Sequence, residues 1–242
     1  MVNVISIGSC RVQNALKPLV LEENTEIKHS ACECGKFCTG WVHPHSSGEI
    51  IQYLKYLRGE LEFPAHLCDF IINNNIGHEC KLNYMKENFK NADKVIIEIS
   101  SLKNIMYVGG WYINIMKYNH KINTRPKLRK NIEMKKETKL ILKNNLREII
   151  KLCSGKNILF QTHMNFPKED GTMNTPRVTI VEAVREIIEE YAESDNEIRY
   201  FDPTIIVNEL GVVNATLPGK LTEFSETMLK RVMEVHKNYF LE

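Results

Sequence analysis

The chain has 242 residues, 43% of them hydrophobic and 26% charged, a composition ordinary for a globular protein with a substantial core. A net charge of +2 gives no global electrostatic case for nucleic acid or a membrane surface, and no window approaches the roughly 20 apolar residues of a bilayer span. Seven cysteines, behind an N-terminus that runs straight from Met1-Val2-Asn3 into an apolar strand, predict reduced thiols and a cytoplasmic protein without a secretory signal.

Val4-Ile5-Ser6-Ile7 is an apolar, β-branched run that stops at Gly8, Ser9 and Cys10. A helical pattern follows, with Val12, Ala15, Leu16 and Leu19 on one face. The reading is strand, tight turn and helix start, with a thiol on the turn. Thr25 to Ala31 is a second short strand, and Cys32 to His45 a polar loop rich in Cys and His. Ser46 is a helix N-cap with Glu49 three residues on, and the helix continues through Ile50, Ile51, Leu54 and Leu57. Residues 60–78 carry no clear period. Lys81 to Asn91 reads as a helix and Lys94 to Ser100 as a buried strand.

Ser101 to Arg129 is a long insertion containing Trp111, Tyr112 and Tyr118, either core or a cover over the substrate. A helix is predicted from about Ile132 to Cys153, then a strand from Lys156 to Thr162 ending at His163. Pro176 starts a helix to about Ala192, Glu197 to Phe201 is a strand broken by Asp202-Pro203, and a last helix runs from Thr222 to about Tyr239. Strands alternating with helices at these lengths predict an α/β fold. The expected form is a three-layer αβα sandwich with a mostly parallel, five-stranded, flavodoxin-like sheet. One domain, 1–242, with the aromatic insertion at about 101–130, is the economical organisation.

In such a sheet, ligands bind beyond the carboxyl ends of the strands. Those ends carry Ser9, Cys10 and Arg11, then His43 and His45, Ser100, Ser101 and Asn104, His163 and Asn165, and Asp202. A thiol at a helix N-terminus titrates low and becomes a nucleophile. With imidazoles, amides and hydroxyls around it, the set has the parts of an acyl-transfer site. Of the imidazoles, His163 ends a central strand and is favoured as the base, His45 is the alternative, and His43 is expected to point elsewhere. Cys32, Cys34 and Cys38 near His29, His43 and His45 supply only one usable pair, Cys34-x₃-Cys38, so no zinc site is expected. The basic stretch from Lys117 to Lys143 reads as a solvated face, with a site for phosphate-bearing ligands as the alternative.

Ile7-Gly8-Ser9-Cys10 resembles the first block of the SGNH/GDSL hydrolase superfamily, in which a Gly-Asp-Ser follows the first strand. It is closer still to the Gly-Ser-Cys variants, the GSCFA-type and capsular-polysaccharide acetyltransferase-like proteins of bacteria. The resemblance puts Cys10 in the nucleophile's place, and Trp41-Val42-His43-Pro44-His45-Ser46 in that of a Pro-containing loop. It also puts Asn104 in the place of an oxyanion donor; backbone N–H groups of the Cys10 turn, helped by Asn104 or Ser100, are expected to hold the oxyanion, and from the strand ends Ser9, Arg11, Ser101 and Asn165 are the further expected substrate contacts. The superfamily's Asp-x-x-His is missing: Lys220 and Glu223 occupy those positions, ahead of Phe224-Ser225. The base is then His163, His45 or Glu223. The implied function is an acyltransferase or acyl esterase on a bacterial surface polysaccharide or its precursor. No tightly bound cofactor is expected, and acyl-CoA serves as donor where the reaction is transfer. Two alternatives stay open: a glycan- or nucleotide-sugar-binding protein without catalysis, and a zinc-dependent hydrolase. Neither nucleic acid nor a membrane span is expected among its partners.

Overall fold

The computed structural model describes residues 1–9, 11–12, 14–16, 27–29, 43–71, 78–114, 118, 126–167, 172–193 and 197–242. Cys10 lies outside them, as do Cys32, Cys34, Cys38 and Trp41. In chain order the principal elements begin with β1 (Val2–Ile7), β2 (Ile27–His29), α1 (Ser47–Leu57), α2 (His78–Asn91) and β3 (Lys94–Ile99). Next come β4 (Lys103–Tyr107), β5 (Trp111–Tyr112), β6 (Ile132–Lys136), α3 (Lys139–Leu152) and β7 (Asn157–Thr162). The chain continues through α4 (Thr175–Glu190), β8 (Ile198–Phe201), α5 (Thr204–Leu210), β9 (Thr216–Leu217), β10 (Lys220–Phe224) and α6 (Glu226–Leu241).

The central sheet has five strands in the order β2-β1-β3-β7-β8, all parallel. Chain order 2-1-3-4-5 is the flavodoxin-like arrangement, whose switch point lies between β1 and β3. Because side chains alternate along a strand, each face collects its own apolar set. Ile5, Ile7, Val95, Ile97 and Phe160 face one way and pack under α1, α2, α3 and α4. Val4, Ile96 and Leu159 face the other, against Val12, Leu16 and the Met228, Val232 and Phe240 stripe of α6. The expected three-layer αβα sandwich is the observed one. No helix among the described residues is long and apolar enough to cross a membrane.

Three sequence expectations need correction. Ile132–Lys136 is not the start of a helix but strand β6, antiparallel to β4, and the helix α3 begins only at Lys139 behind the Thr138 cap. Its Glu and Lys residues favour a helix, yet pairing with β4 wins, as tertiary context overrides propensity. The final helix begins at Glu226, capped by Ser225, because residues 220–224 pair with β9 as a hairpin. Trp111 and Tyr112 form strand β5 rather than a cover. Tyr112 exchanges two hydrogen bonds with the Gln52 side chain (2.8 and 3.0 Å) and Trp111 meets Phe63 edge-on. Part of the basic stretch lies on a charged helix face: Lys139 and Lys143 of α3 pair with Glu182 and Glu186 of α4, and beyond the stretch Arg147 pairs with Glu190.

Strands β4, β5 and β6 form a separate antiparallel sheet docked on α1 at a point where no side chain fits. A Cβ on Gly48 would lie 2.4 Å from the Tyr112 ring. Gly48→Ala should therefore lower stability by about 1–3 kcal/mol, the usual cost of overpacking. Urea unfolding measures it, and an unchanged midpoint would show that this docking contributes nothing.

Candidate active site

The site is built around a buried carboxylate. Glu98, the fifth residue of β3, has no solvent exposure and lies on the face opposite Ile97. It accepts the Ser9 backbone N–H at 2.8 Å and pairs with Arg11 Nε at 3.3 Å. The close approach depends on Gly8, whose position would bring a Cβ to 2.6 Å from Glu98 Cβ. Ser9 Oγ in turn accepts the Arg11 N–H at 3.3 Å, the geometry of an N-cap for the helical residues that follow. Burial raises the Glu98 pKa, but the Arg11 guanidinium, then His163 and the Ser9 donors, outweigh it and hold the carboxyl below its ordinary range.

Three imidazoles surround this lock. His45 Nδ1 is hydrogen-bonded to Ser100 Oγ at 2.9 Å, and its Nε2 is buried without a partner. The His45 carbonyl also accepts the Ser100 and Ser101 N–H groups, fastening the loop ahead of α1 to the end of β3. His43, expected to point away, reaches the same rim, with Nδ1 3.4 Å from the Gly8 carbonyl. Pro44 lies between the two histidines, and the Asn114 side chain donates to the His43 carbonyl at 2.7 Å. His163 Nε2 accepts from Arg177 at 3.5 Å, while Arg177 also donates to the Met164 carbonyl at 2.6 Å. Burial, then Arg11, pushes His163 down to about 3. Burial, opposed by Glu98 and reinforced by Arg11 and His43, pushes His45 down to about 4. Both rings are neutral near pH 7.

Other expected contacts have structural partners. Asn104 lies on β4 and donates to Glu137 at 2.7 Å, in a buried network that includes Ser47 and Asn145. Glu49 lies next to this network, and burial, opposed by backbone donors at His45 and Ser46, pushes its carboxyl up to about 8. Asn165 Oδ1 accepts the Asn174 N–H at 3.2 Å and its own N–H donates to Thr204, which ties β7 to the start of α4. Ser101 Oγ accepts the Lys103 N–H at 2.9 Å. Glu223 is exposed and paired with Lys220 at 3.2 Å, so the carboxylate that pairs with Arg11 is Glu98. Sequence reasoning misses Glu98 as a site residue. Its signal is a charge within the apolar run Val95-Ile96-Ile97-Glu98-Ile99, where an unpaired carboxylate is too costly to keep.

Fold and rim together define an α/β protein with a polar, partly enclosed site at the carboxyl ends of a parallel sheet. Residues 2–125 and 117–236 match the model of the TviD N-terminal domain, and the chain belongs to that family. No curated protein gives a significant match. Among solved structures, the chain is similar to a catalytic mutant of Axe2, an acetylxylan esterase from Geobacillus stearothermophilus. The identity is 13% over 98% of this chain and 94% of that one, with a TM-score of 0.41.

Two outcomes follow from the electrostatics. Arg11→Met should cost about 3–5 kcal/mol by leaving the Glu98 carboxylate buried and unpaired, and adding Glu98→Gln should restore part of that loss. Additive effects in chemical denaturation would show that the two side chains are not coupled. The second outcome concerns His163, neutral in the folded chain but protonated when unfolded below its ordinary value of 6.5. Its contribution is complete above that pH and is lost as pH falls toward the depressed folded value. The stability difference between the native chain and His163→Asn should shrink by about 1.4 kcal/mol per pH unit between pH 6 and 4. A difference independent of pH would contradict the neutral, buried imidazole.

Proposed function

We propose that the chain is an acyltransferase or acyl esterase that modifies a bacterial polysaccharide or its precursor in the cytoplasm, with Cys10 as nucleophile. The observation that carries this reading is the His45–Ser100 pair at the rim where the Gly8-Ser9-Cys10-Arg11 turn begins. A base that is oriented by a third group and keeps a free ring nitrogen is what nucleophile activation requires. With the proton on Nδ1 donated to Ser100 Oγ, His45 Nε2 offers its lone pair. His163 is the weaker candidate because Arg177 already engages its Nε2.

In this reading His45 Nε2 takes the Cys10 thiol proton, and the sulfur attacks the carbonyl carbon of an acyl donor such as an acyl-CoA. The tetrahedral oxyanion collapses, the donor's own C–S bond breaks, and its thiolate leaves with the proton from His45. An acceptor hydroxyl, deprotonated by the same nitrogen, then attacks the Cys10 thioester and receives the acyl group; water in its place gives hydrolysis. Arg11 and the helix start favour the thiolate at the preceding residue. Membership in the TviD N-terminal domain family and the resemblance of Ile7-Gly8-Ser9-Cys10 to Gly-Ser-Cys acyl-transfer proteins support the assignment.

Incubation with acetyl-CoA and with a small acetyl ester, followed by intact-mass analysis and peptide mapping, tests it. The native chain should gain the mass of one acetyl group on Cys10, and Cys10→Ser should not form the thioester. His45→Gln should slow acylation by about 10²–10⁴-fold, the usual worth of a positioned general base, with a smaller loss for His163→Asn. An adduct on another thiol, or equal acylation of Cys10→Ser, would overturn the nucleophile assignment.

A further inference from the structure

Beside the rim runs a groove of about 530 Å³ between the antiparallel sheet and the start of α4. It shares Ser100 and Arg177 with the site, so the hydrogen-bond partners of both His45 and His163 line its wall. All four charged residues among those described as lining it are basic: Lys103, Lys135, Lys136 and Arg177. Lys135 is paired with Glu133 at 3.0 Å. The other three have no carboxylate partner among the described residues. The dipole of α4 adds to the positive field, since its Asn174 N-cap lies in the groove wall and no side chain caps it.

The strand register sharpens the point. Lys103 of β4 and Lys136 of β6 are directly opposite across the antiparallel pair. Like charges in that position destabilise a sheet, and neither residue has a counter-charge among the described residues that would remove the repulsion. A single carboxylate would neutralise one of the three cations. A chain of phosphates would engage all of them, the guanidinium through the N–H groups that Met164 and His163 leave unused and the lysines as point charges.

We propose that this groove binds the phosphates of the acyl donor, a phosphorylated pantetheine thioester of the coenzyme A class, with the acyl end directed at the rim. The assignment rests on the acyl-transfer reading but has its own test, because binding is measured without turnover. Coenzyme A, pantetheine and a uronic-acid oligosaccharide are titrated calorimetrically into the full chain, the native form beside Lys103→Glu and Lys136→Gln. Coenzyme A should bind with salt-weakened affinity, and pantetheine at least about tenfold more weakly. Each variant should weaken coenzyme A by about tenfold. The urea midpoint of Lys103→Glu should stay at or above that of the native chain, because the introduced carboxylate would attract Lys136. Unchanged coenzyme A binding in both variants would overturn the proposal. So would tighter oligosaccharide binding that is lost in the variants, which would give the groove to the acceptor. Failure of Cys10 acylation alongside intact, lysine-dependent coenzyme A binding would remove the chemistry and leave the groove.

Discussion

A carboxylate inside a parallel sheet is expensive, and the architecture of this rim follows from how Glu98 is held. Desolvation costs several kcal/mol per ion unless charge and hydrogen bonds compensate. Here the compensation comes from three features of the first turn. Gly8 leaves room where a Cβ would clash, Ser9 supplies a backbone donor, and Arg11 supplies the counter-charge. Two of these residues act a second time. Ser9 caps the helix that follows, and the Gly8 carbonyl lies within reach of His43. The end of β1, the start of a helix and the end of β3 are thereby one unit, with Cys10 placed by the sequence between two of its fixed members.

Burial, ahead of the nearby charges, keeps the imidazoles of this rim neutral. In water a histidine is half protonated near pH 6.5. Burial removes most of that protonated population at His45 and His163, with Arg11 acting in the same direction on both rings and Glu98 in the opposite one. No histidine stands just before the last helix; Glu223 is there, on an exposed hairpin and paired with Lys220. The proposed base comes instead from the loop ahead of α1, fixed by two backbone hydrogen bonds from Ser100 and Ser101 to the His45 carbonyl.

Much of the fold is legible in the sequence because long apolar strands and capped helices carry local signals. β1, β3, β7 and β8, the Ser46 cap and the convergence of the strand ends can all be read from pattern. What cannot be read depends on partners distant in the chain. Ile-Glu-Met-Lys-Lys is a strand only because β4 is beside it, and His43 faces the site although its spacing of two residues from His45 suggests otherwise. Asn104 and Asn165 are recognisable as polar groups at strand ends. No local pattern says that Glu137 and Asn174 occupy them.

The two faces of β4 join these observations. Alternation along the strand sends Lys103 toward the groove and Asn104 to the opposite face. There Asn104 donates to Glu137, whose oxygens also accept from Ser47 at 2.7 and 2.8 Å, in the first turn of α1. Ser47 follows Ser46, the cap that begins immediately after His45. The cationic wall of the groove and the loop that carries His45 are therefore anchored to the same helix terminus. In such a network, displacement of one member leaves polar groups unsatisfied in a low-dielectric interior, which makes intermediate positions costly. The charges of the groove wall and the His45 loop are held in register by this shared anchor.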